Sequence, residues 1–212
     1  AKGQRKGVLN SGKTALSILI VGDSAAAGVG VENQQDALLG SILTELQHDF
    51  DLRYQLEART GDTTLQVLER MQMLEMQRFD IVITSVGVND VTKLISPQKW
   101  IQQQQEFYTV IERKFSPKMV LVTSVPPMNL FPALPNPLSW LFGQYSSAMN
   151  NKLEKLIEQK RKFENAGDYH LIQFDLAHFK TLNLQMAEDG FHPSKEIYQL
   201  WAKQIVEKIQ RK

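Results

Sequence analysis

Cysteine is absent from the 212 residues of this chain. A thiol nucleophile, a disulfide and a cysteine-ligated metal are therefore excluded from any functional site. The absence says nothing about the redox compartment, because cysteine-free proteins occur in both oxidising and reducing surroundings.

The chain also lacks an excess of charge of either sign, and it lacks a long apolar run. Its 24 basic and 23 acidic residues give a formal net charge of +1, which argues against nucleic acid or an anionic membrane as the main partner. No apolar run approaches the ~18–20 residues that a membrane span needs.

The sequence opens without Met and without an apolar signal segment. We therefore expect an exported or periplasmic protein if an upstream signal or anchor was removed, and a cytoplasmic one otherwise. The sequence does not determine the oligomeric state, and a monomer is the simplest expectation.

What the sequence does contain is an alternation of short apolar runs with longer amphipathic ones. The apolar runs predict five strands, at 15–21, 52–58, 79–86, 118–125 and 169–174, the second of which suits a sheet edge. The amphipathic runs predict helices at 36–50, 62–76, 97–115, 138–163 and 194–210. Crossovers of this length imply parallel strands, so residues 15–212 are predicted to form a single-domain α/β fold whose sheet is covered on both faces. Residues 1–14 are predicted to be a flexible basic leader.

Two glycine-containing stretches compete as candidate sites. Gly7–Thr14 satisfies the P-loop pattern G-x-x-x-x-G-K-[ST], but a polar leader precedes it and a strand follows it, which is the reverse of the required context. We interpret it as a chance match. The stretch 18–30 has a strand followed by a turn, and Ser24 stands just past the strand. A dinucleotide loop stays open there on spacing alone, because Glu57 could supply the acidic residue that such folds place after the second strand.

A serine nucleophile needs a general base. Four histidines are present: His48, His170, His178 and His192. Only His192 stands in a Gly/Pro-punctuated loop after the last strand with a carboxylate, Asp189, three residues before it. The loop therefore predicts that His192 is a general base oriented by Asp189, at the same sheet edge as Ser24. The alternative is a surface loop in which Ser194 caps the final helix.

An oxyanion site would need N–H donors at the same edge. Gly61 follows the second strand at a helix start, where backbone N–H groups are unpaired. Asn89 follows the third strand and offers a side-chain amide, with Gly87 allowing the chain to turn. Taken singly, the two features are also consistent with a helix-entry glycine and an Asn-Asp turn.

Together these residues resemble the SGNH (GDSL-type) hydrolase family. Four blocks occur in the family's order, each after a predicted strand: Gly22-Asp23-Ser24, Gly61, Gly87-Val88-Asn89-Asp90 and Asp189-Gly190-Phe191-His192. One position departs from the pattern, because Ala25 replaces the Leu of GDSL. That change leaves the catalytic groups intact and bears on substrate preference.

The resemblance implies roles for these residues. Ser24 would be the nucleophile, His192 the general base and then acid, and Asp189 the residue that orients His192. The backbone N–H groups of Ser24 and Gly61, with the Asn89 side chain, would hold the oxyanion. Asp23 and Asp90 would anchor their own turns. The family implies an SGNH hydrolase fold, a three-layer α/β/α arrangement around a flavodoxin-like sheet of five parallel strands in the order 2-1-3-4-5. It implies neither a metal nor an organic cofactor.

The expected activity is that of a serine esterase, which hydrolyses carboxylic esters or thioesters through an acyl-serine intermediate. The proline-rich segment 125–140 leaves the fourth strand at the active edge, and its apolar residues Met128, Leu130, Phe131 and Leu134 are predicted to line a pocket for short to medium acyl chains. Alternatively the segment merely covers the sheet. A carbohydrate O-acetyl esterase, an acyltransferase and a non-catalytic binding scaffold remain alternatives, so the expected partner is a small-molecule or carbohydrate ester.

Overall fold

One mostly parallel sheet forms the middle layer of the molecule. The computed structural model describes residues 1–10, 12–162, 167–173, 181–182 and 185–211. Within these ranges the strands are β1 (Lys6–Leu9), β2 (Thr14–Gly22), β3 (Phe50–Ala58), β4 (Ile81–Ser85), β5 (Met119–Thr123) and β6 (Asp168–Ile172). Their order across the sheet is β1-β3-β2-β4-β5-β6. Strands β2 to β6 are parallel and stand in the order 2-1-3-4-5 predicted for five strands.

The sixth strand corrects two predictions. Residues 6–9 are not a flexible leader: they pair antiparallel with β3, from Lys6 opposite Gln55 to Leu9 opposite Leu52. Strand β3 is therefore not at the sheet edge. Gly7 makes the close approach possible, because a Cβ at this position would come within 2.6 Å of the Tyr54 hydroxyl.

The P-loop pattern at Gly7–Thr14 has no phosphate-binding geometry among its described residues. Its first residues belong to β1, its last residue begins β2, and no helix follows it. Position 11 of this segment lies outside the described residues. The structure thus agrees with the interpretation as a chance match, because a P-loop needs a helix N-terminus to meet the phosphate.

Helices cover both faces of the sheet, which confirms the three-layer α/β/α architecture. They are α1 (Leu38–Leu46), α2 (Thr64–Met73), α3 (Val88–Thr92), α4 (Pro97–Phe115), α5 (Leu138–Arg161) and α6 (Lys195–Gln210), with short 3₁₀ turns at Gln34–Asp36 and Met128–Leu130. Helix α1 packs on α6, whereas α4 packs between α2 and α5. Trp201 of α6 and Trp100 of α4 are fully buried. Strands β4 and β5 are buried along their whole length, as expected for parallel strands covered on both faces.

Most boundaries fall close to the predicted ones. Helix α4 spans the predicted 97–115, with Ser96 as its N-cap and Ser116 in the left-handed conformation after it. The helix predicted at 36–50 is shorter because the chain enters β3 at Phe50, where it pairs with Thr14. Position 174, the predicted end of the last strand, lies outside the described residues. No helix in the described part of the chain has the length and apolarity needed to cross a bilayer.

Candidate active site

The loop that carries Ser24 is a tight turn at the carboxyl end of β2. The N–H of Asp23 donates to the carbonyl of Ser85 at the end of β4, and the N–H of Val29 donates to the Ser24 carbonyl. Gly22 is required where the two strand ends meet, since a Cβ there would lie 2.2 Å from the Ser85 carbonyl oxygen. The loop is thus fixed against β4, and the nearly buried Ser24 stands at the sheet edge where α/β proteins place their sites.

The structure brings Ser24, His192 and Asp189 together in a chain of hydrogen bonds. The Nε2 atom of His192 lies 3.0 Å from Ser24 Oγ, and its Nδ1 atom lies 2.6 Å from Asp189 Oδ2. A carboxylate at Nδ1 favours the tautomer with the proton on that nitrogen, so Nε2 is left to accept the serine proton. Ser24 and His192 are 168 positions apart in sequence, and the fold alone makes them neighbours.

Asp189 is held by the turn that it begins. Its Oδ1 atom accepts hydrogen bonds from the backbone N–H groups of Phe191 and His192, both at 2.9 Å. Partial burial alone would raise the pKa of Asp189, but these hydrogen bonds and the bond from the His192 ring outweigh it and hold the pKa below its usual range. The carboxylate therefore stays charged opposite the imidazole. Ser194 caps α6 through a bond from Ile197 N–H, so the loop is both a helix entry and a candidate acid–base pair.

Tyr198 of α6 holds the Ser24 loop in place through its hydroxyl group. Its hydroxyl lies 2.9 Å from the Ala25 carbonyl and 2.7 Å from the Val29 carbonyl, the two ends of the turn. The Tyr198 ring is fully buried and stacks on Trp201. Burial raises the pKa of the Tyr198 phenol, which keeps the hydroxyl protonated as a donor. Tyr198 thus acts on the shape of the loop and does not contact the reacting atoms.

Donors for an oxyanion stand on three neighbouring loops. Neither the Ser24 N–H nor the Gly61 N–H has an acceptor within the described residues. The Asn89 amide donates one N–H to the Asp62 carbonyl at 2.9 Å, which fixes the side chain and leaves its second N–H free for another acceptor. The Arg59 N–H donates to the Gly22 carbonyl at 3.3 Å and ties the loop after β3 to the end of β2.

Asp90 anchors a different turn from the one predicted. Its carboxylate is buried and accepts hydrogen bonds from the backbone N–H and the hydroxyl of Thr64, at 3.0 Å each, at the start of α2. Trp100 and Gln104 of α4 donate to the same hydroxyl at 3.0 Å. Burial raises the pKa of Asp90 to about 6 in spite of the bonds from Thr64. The prediction that Asp90 stabilises its own turn is therefore wrong, since it joins the loop of Asn89 to the loop of Gly61.

Asp23, in contrast, does anchor its own turn. Its Oδ1 atom accepts a hydrogen bond from the Ala25 N–H at 3.1 Å. The side chain is almost completely buried, and this burial raises the pKa of Asp23 to about 7, with the nearby carboxylates of Asp90 and Asp62 acting in the same direction. A buried carboxyl that stays largely neutral below about pH 6 thus directly precedes the candidate nucleophile.

A small cavity of about 40 Å³ adjoins Ser24. Its walls come from the ends of β4 and β5, the segment after β5 and the loop before α6, and among the lining residues are Val86, Thr123, Val125, Phe131, Phe191 and Trp201. The cavity is large enough for a short chain beyond an ester carbonyl.

The segment after β5 supplies part of this wall. Of its four residues predicted to contact an acyl group, Phe131 lines the cavity and packs edge-to-face on Phe191 at 5.1 Å. Leu130 and Leu134 are half-buried and not among the lining residues, and Met128 is fully buried in the core. The position of Met128 contradicts the predicted contact, because the 3₁₀ turn at Met128–Leu130 directs that side chain inward.

Three residues that support the site carry no recognisable signal in the sequence. Tyr198 belongs to the apolar stripe of an amphipathic helix, and Trp100 and Gln104 belong to a helix whose glutamines suggest a solvated face. Only the register of the folded helices shows that these side chains point at the active loops. At the start of α2 the sequence does carry a local signal, a capping pair in which the Thr63 N–H donates to Gln66 Oε1 at 3.0 Å.

The described residues contain no cluster of three or more His, Cys, Asp or Glu side chains that could hold a metal ion. The groups that the site itself presents are a hydroxyl, an imidazole, a carboxylate and N–H donors. The arrangement can deprotonate a serine, stabilise negative charge on a nearby oxygen and return the proton to a leaving group.

Comparison with known proteins identifies a family and a shared fold. The family model described as GDSL-like lipase/acylhydrolase matches residues 20–200. A member of the lipolytic protein G-D-S-L family from Veillonella parvula superposes with a TM-score of 0.72, at 14% identity over 93% of this chain and 100% of its own. Psychrotrophic esterase EstA from Pseudoalteromonas sp. gives 0.67 at 19% identity over 92% of this chain and 97% of its own. The acetyl xylan esterase AlAXEase gives 0.65 at 16% identity over 92% of this chain and 100% of its own. Among curated proteins there is no match.

Proposed function

The chain belongs to the GDSL-like lipase/acylhydrolase family and is a carboxylic ester hydrolase, and we propose that it cleaves esters of short acyl groups through an acyl-enzyme intermediate on Ser24. The observation that carries the proposal is the continuous chain from Asp189 through His192 to Ser24, with its distances of 2.6 and 3.0 Å. A hydrogen-bonded acid, base and hydroxyl in this sequence is the arrangement that activates a serine.

The reaction begins when His192 Nε2 accepts the proton of the Ser24 hydroxyl as Oγ attacks the ester carbonyl carbon. The imidazolium that forms is stabilised by the Asp189 carboxylate at Nδ1. His192 then donates the proton to the leaving alkoxide, and the C–O bond of the ester breaks. Water enters, loses its proton to His192 and hydrolyses the acyl–serine bond, which restores the free hydroxyl.

The negative charge of the tetrahedral intermediate is assigned to the Ser24 and Gly61 N–H groups and to the second N–H of Asn89. The absence of other acceptors for the two backbone donors within the described chain supports this role. The bond from Asn89 to the Asp62 carbonyl orients the amide before substrate arrives, and donors fixed in advance stabilise a transition state without paying for reorientation.

The size of the cavity supports the short end of the predicted range of acyl chains. A cavity of only about 40 Å³ favours small acyl groups such as acetyl to butyryl over long chains. Phe131 and Phe191, in edge-to-face contact with each other, stand on its wall. A longer chain would have to leave the cavity or displace these rings.

A carbohydrate acetyl ester is the second candidate substrate. The small cavity fits an acetyl group, and one structural neighbour is named an acetyl xylan esterase. The structural similarity to that protein, at 16% identity, shows a shared fold only. Activity on a carbohydrate ester is therefore tested in a separate assay. Transfer of the acyl group to another alcohol would use the same intermediate and differs only in the final acceptor.

A graded panel of 4-nitrophenyl esters tests the proposal. We expect kcat/KM to be highest for acetate to butyrate and to fall by at least about tenfold at octanoate, because the cavity is small and Phe131 and Phe191 stand on its wall. Ser24→Ala should lose about 10⁴–10⁶ in kcat and should no longer react with a fluorophosphonate probe. An unlabelled wild-type protein without esterase activity would instead identify a binding scaffold.

Two further measurements separate the remaining alternatives. Release of acetate from acetylated xylan oligosaccharides at a higher kcat/KM than from 4-nitrophenyl acetate would favour the carbohydrate substrate. Formation of methyl acetate in preference to acetate when methanol is added would favour a transferase. Wild-type activity in re-purified Ser24→Ala would contradict the whole scheme.

A further inference from the structure

Among the polar side chains that line the cavity beside Ser24, Thr123 stands out because the proposed reaction does not use it and its hydroxyl is unsatisfied. Thr123 is the last residue of β5 and lies on the cavity wall. It is only 5% exposed, and its hydroxyl has no hydrogen-bond partner among the residues that the structure describes. A buried hydroxyl without a partner is costly, typically enough to favour a binding partner at that position.

The residues around Thr123 give the cavity a polar side and an apolar side. Ser85 and Ser124 line it from the ends of β4 and β5, so the hydroxyl-bearing side chains come from the sheet edge. Val86, Phe131 and Phe191 supply apolar surface. An all-hydrocarbon acyl chain would satisfy the apolar side and leave the Thr123 hydroxyl unpaired.

We infer that the Thr123 hydroxyl hydrogen-bonds a polar substituent on the acyl group, so that the preferred substrates are esters of short hydroxy acids over esters of plain alkanoic acids. The inference rests on the proposed esterase function and names the substrate class for the same site. A hydroxyl is the matching group because it can donate to and accept from another hydroxyl, and because one oxygen takes the space of one methyl group in a cavity of about 40 Å³.

The discrimination should be substantial for a single contact. A site with a buried group that pairs with a substrate hydroxyl rejects the analogue without it, because the protein group is then left unpaired. An apolar pocket, by contrast, tolerates either form with a small difference. Thr123 has the first property, since its hydroxyl finds no partner in the described part of the chain.

The test uses pairs of ethyl esters that differ only by a hydroxyl in place of a terminal methyl. The pairs are ethyl glycolate with ethyl propionate, and ethyl 3-hydroxypropionate with ethyl butyrate. The ratio of kcat/KM within each pair is compared between wild type and Thr123→Val, in which a methyl replaces the hydroxyl at nearly constant shape. Intrinsic differences in ester reactivity cancel in this comparison. Thr123→Ser, which keeps a hydroxyl, is the matched control.

We expect the hydroxyacyl-to-acyl ratio to fall by about 10- to 100-fold in Thr123→Val for at least one pair, and to stay within about threefold of wild type in Thr123→Ser. An unchanged ratio for both pairs overturns the inference.

The wild-type protein alone gives a second readout that does not depend on the variant folding. For each pair, the hydroxyacyl-to-acyl ratio of kcat/KM is divided by the ratio of the alkaline hydrolysis rates of the same two esters. We expect this quotient to exceed one for at least one pair. Quotients at or below one for both pairs overturn the inference. Ser24-dependent cleavage of 4-nitrophenyl acetate is measured in parallel. If that activity is absent, the proposed function has failed; if it is present and the ratios are flat, only the assignment of Thr123 has failed.

Discussion

The buried carboxyl of Asp23 makes a quantitative prediction about stability and pH. Its pKa is raised from an ordinary 3.8 to about 7, chiefly because burial disfavours the charged form. The folded chain therefore binds a proton at pH 5 to 6 that the unfolded chain has already released. Stability falls with rising pH wherever the folded state binds more protons, so this carboxyl lowers the free energy of unfolding as pH rises from about 4 to about 7.

The size of the effect follows from the pKa difference. Between pH 5 and the pKa of about 7, the folded chain keeps a proton on Asp23 that the unfolded chain lacks, over about two pH units. Each unit changes the free energy of unfolding by about 1.4 kcal/mol, so the largest expected change is about 2–3 kcal/mol. Relaxation around the charge reduces this value, so about 1–2 kcal/mol is expected. The amide of Asp23→Asn resembles the protonated acid and keeps an oxygen for the Ala25 N–H.

The assay is urea unfolding of wild type and Asp23→Asn at pH 5 and pH 8. We expect the stability of wild type relative to the variant to fall by about 1–2 kcal/mol over this interval. The difference in unfolding free energy between wild type and Asp23→Asn cancels the contribution of groups that titrate alike in both proteins. The Asp90 carboxylate raises the pKa of Asp23 and so does not cancel, and Asp90→Asn should therefore be measured in wild type and in Asp23→Asn. Asp49→Asn, which removes an exposed carboxylate at the opposite edge of the sheet, is the control for the loss of one charge. A difference that does not change with pH would refute a neutral buried Asp23.

Four further predictions concern other parts of the molecule. Tyr198→Phe should lower the free energy of unfolding by about 1–3 kcal/mol, measured in urea, because two carbonyls of the Ser24 loop lose their donor while the ring remains; an unchanged midpoint would argue against this role. Asn89→Ala should lower kcat about 10²- to 10³-fold with little change in KM, and a change confined to KM would remove Asn89 from the oxyanion site. Gly22→Ala should lower the melting temperature sharply, or prevent folding, because its Cβ would lie 2.2 Å from the Ser85 carbonyl oxygen. Removal of residues 1–9 should uncover the edge of β3 and increase light scattering at equal concentration, whereas unchanged solubility would show that β1 is dispensable.

The parts of the fold that the sequence predicts are those with a local signal. Strands β4 and β5 are continuous apolar runs because both of their faces are buried, and Asp189 and His192 are three residues apart in a loop that folds one onto the other. Strand β1 lacks such a signal. It is four residues long, alternates between exposed and half-buried positions, and depends on a partner more than 40 positions further along the chain.

Features set by tertiary contacts could not be predicted. Asp90 lies in a motif typical of a local turn, yet its partner is Thr64, 26 positions away. The cavity is lined by residues from five separate segments, so its volume depends on how the loops and the last helix pack. Nothing in the composition of 125–140 indicates that Phe131 faces the cavity while Met128 faces the core.

The contacts that Tyr198 makes with the Ser24 loop have a consequence for biosynthesis. The acceptor carbonyls belong to Ala25 and Val29, 173 and 169 positions earlier in the chain. A growing polypeptide can pair β2 with β3 and β4 long before α6 leaves the ribosome. Until then Ser24, the proposed nucleophile, lacks both the contact with His192 and the loop contacts of Tyr198. Recovery of esterase activity after dilution from denaturant should therefore follow the slowest long-range docking step, later than the return of helical circular dichroism. If Ser24 and His192 have the proposed roles, esterase activity should appear only after the loop of His192 and helix α6 have been made.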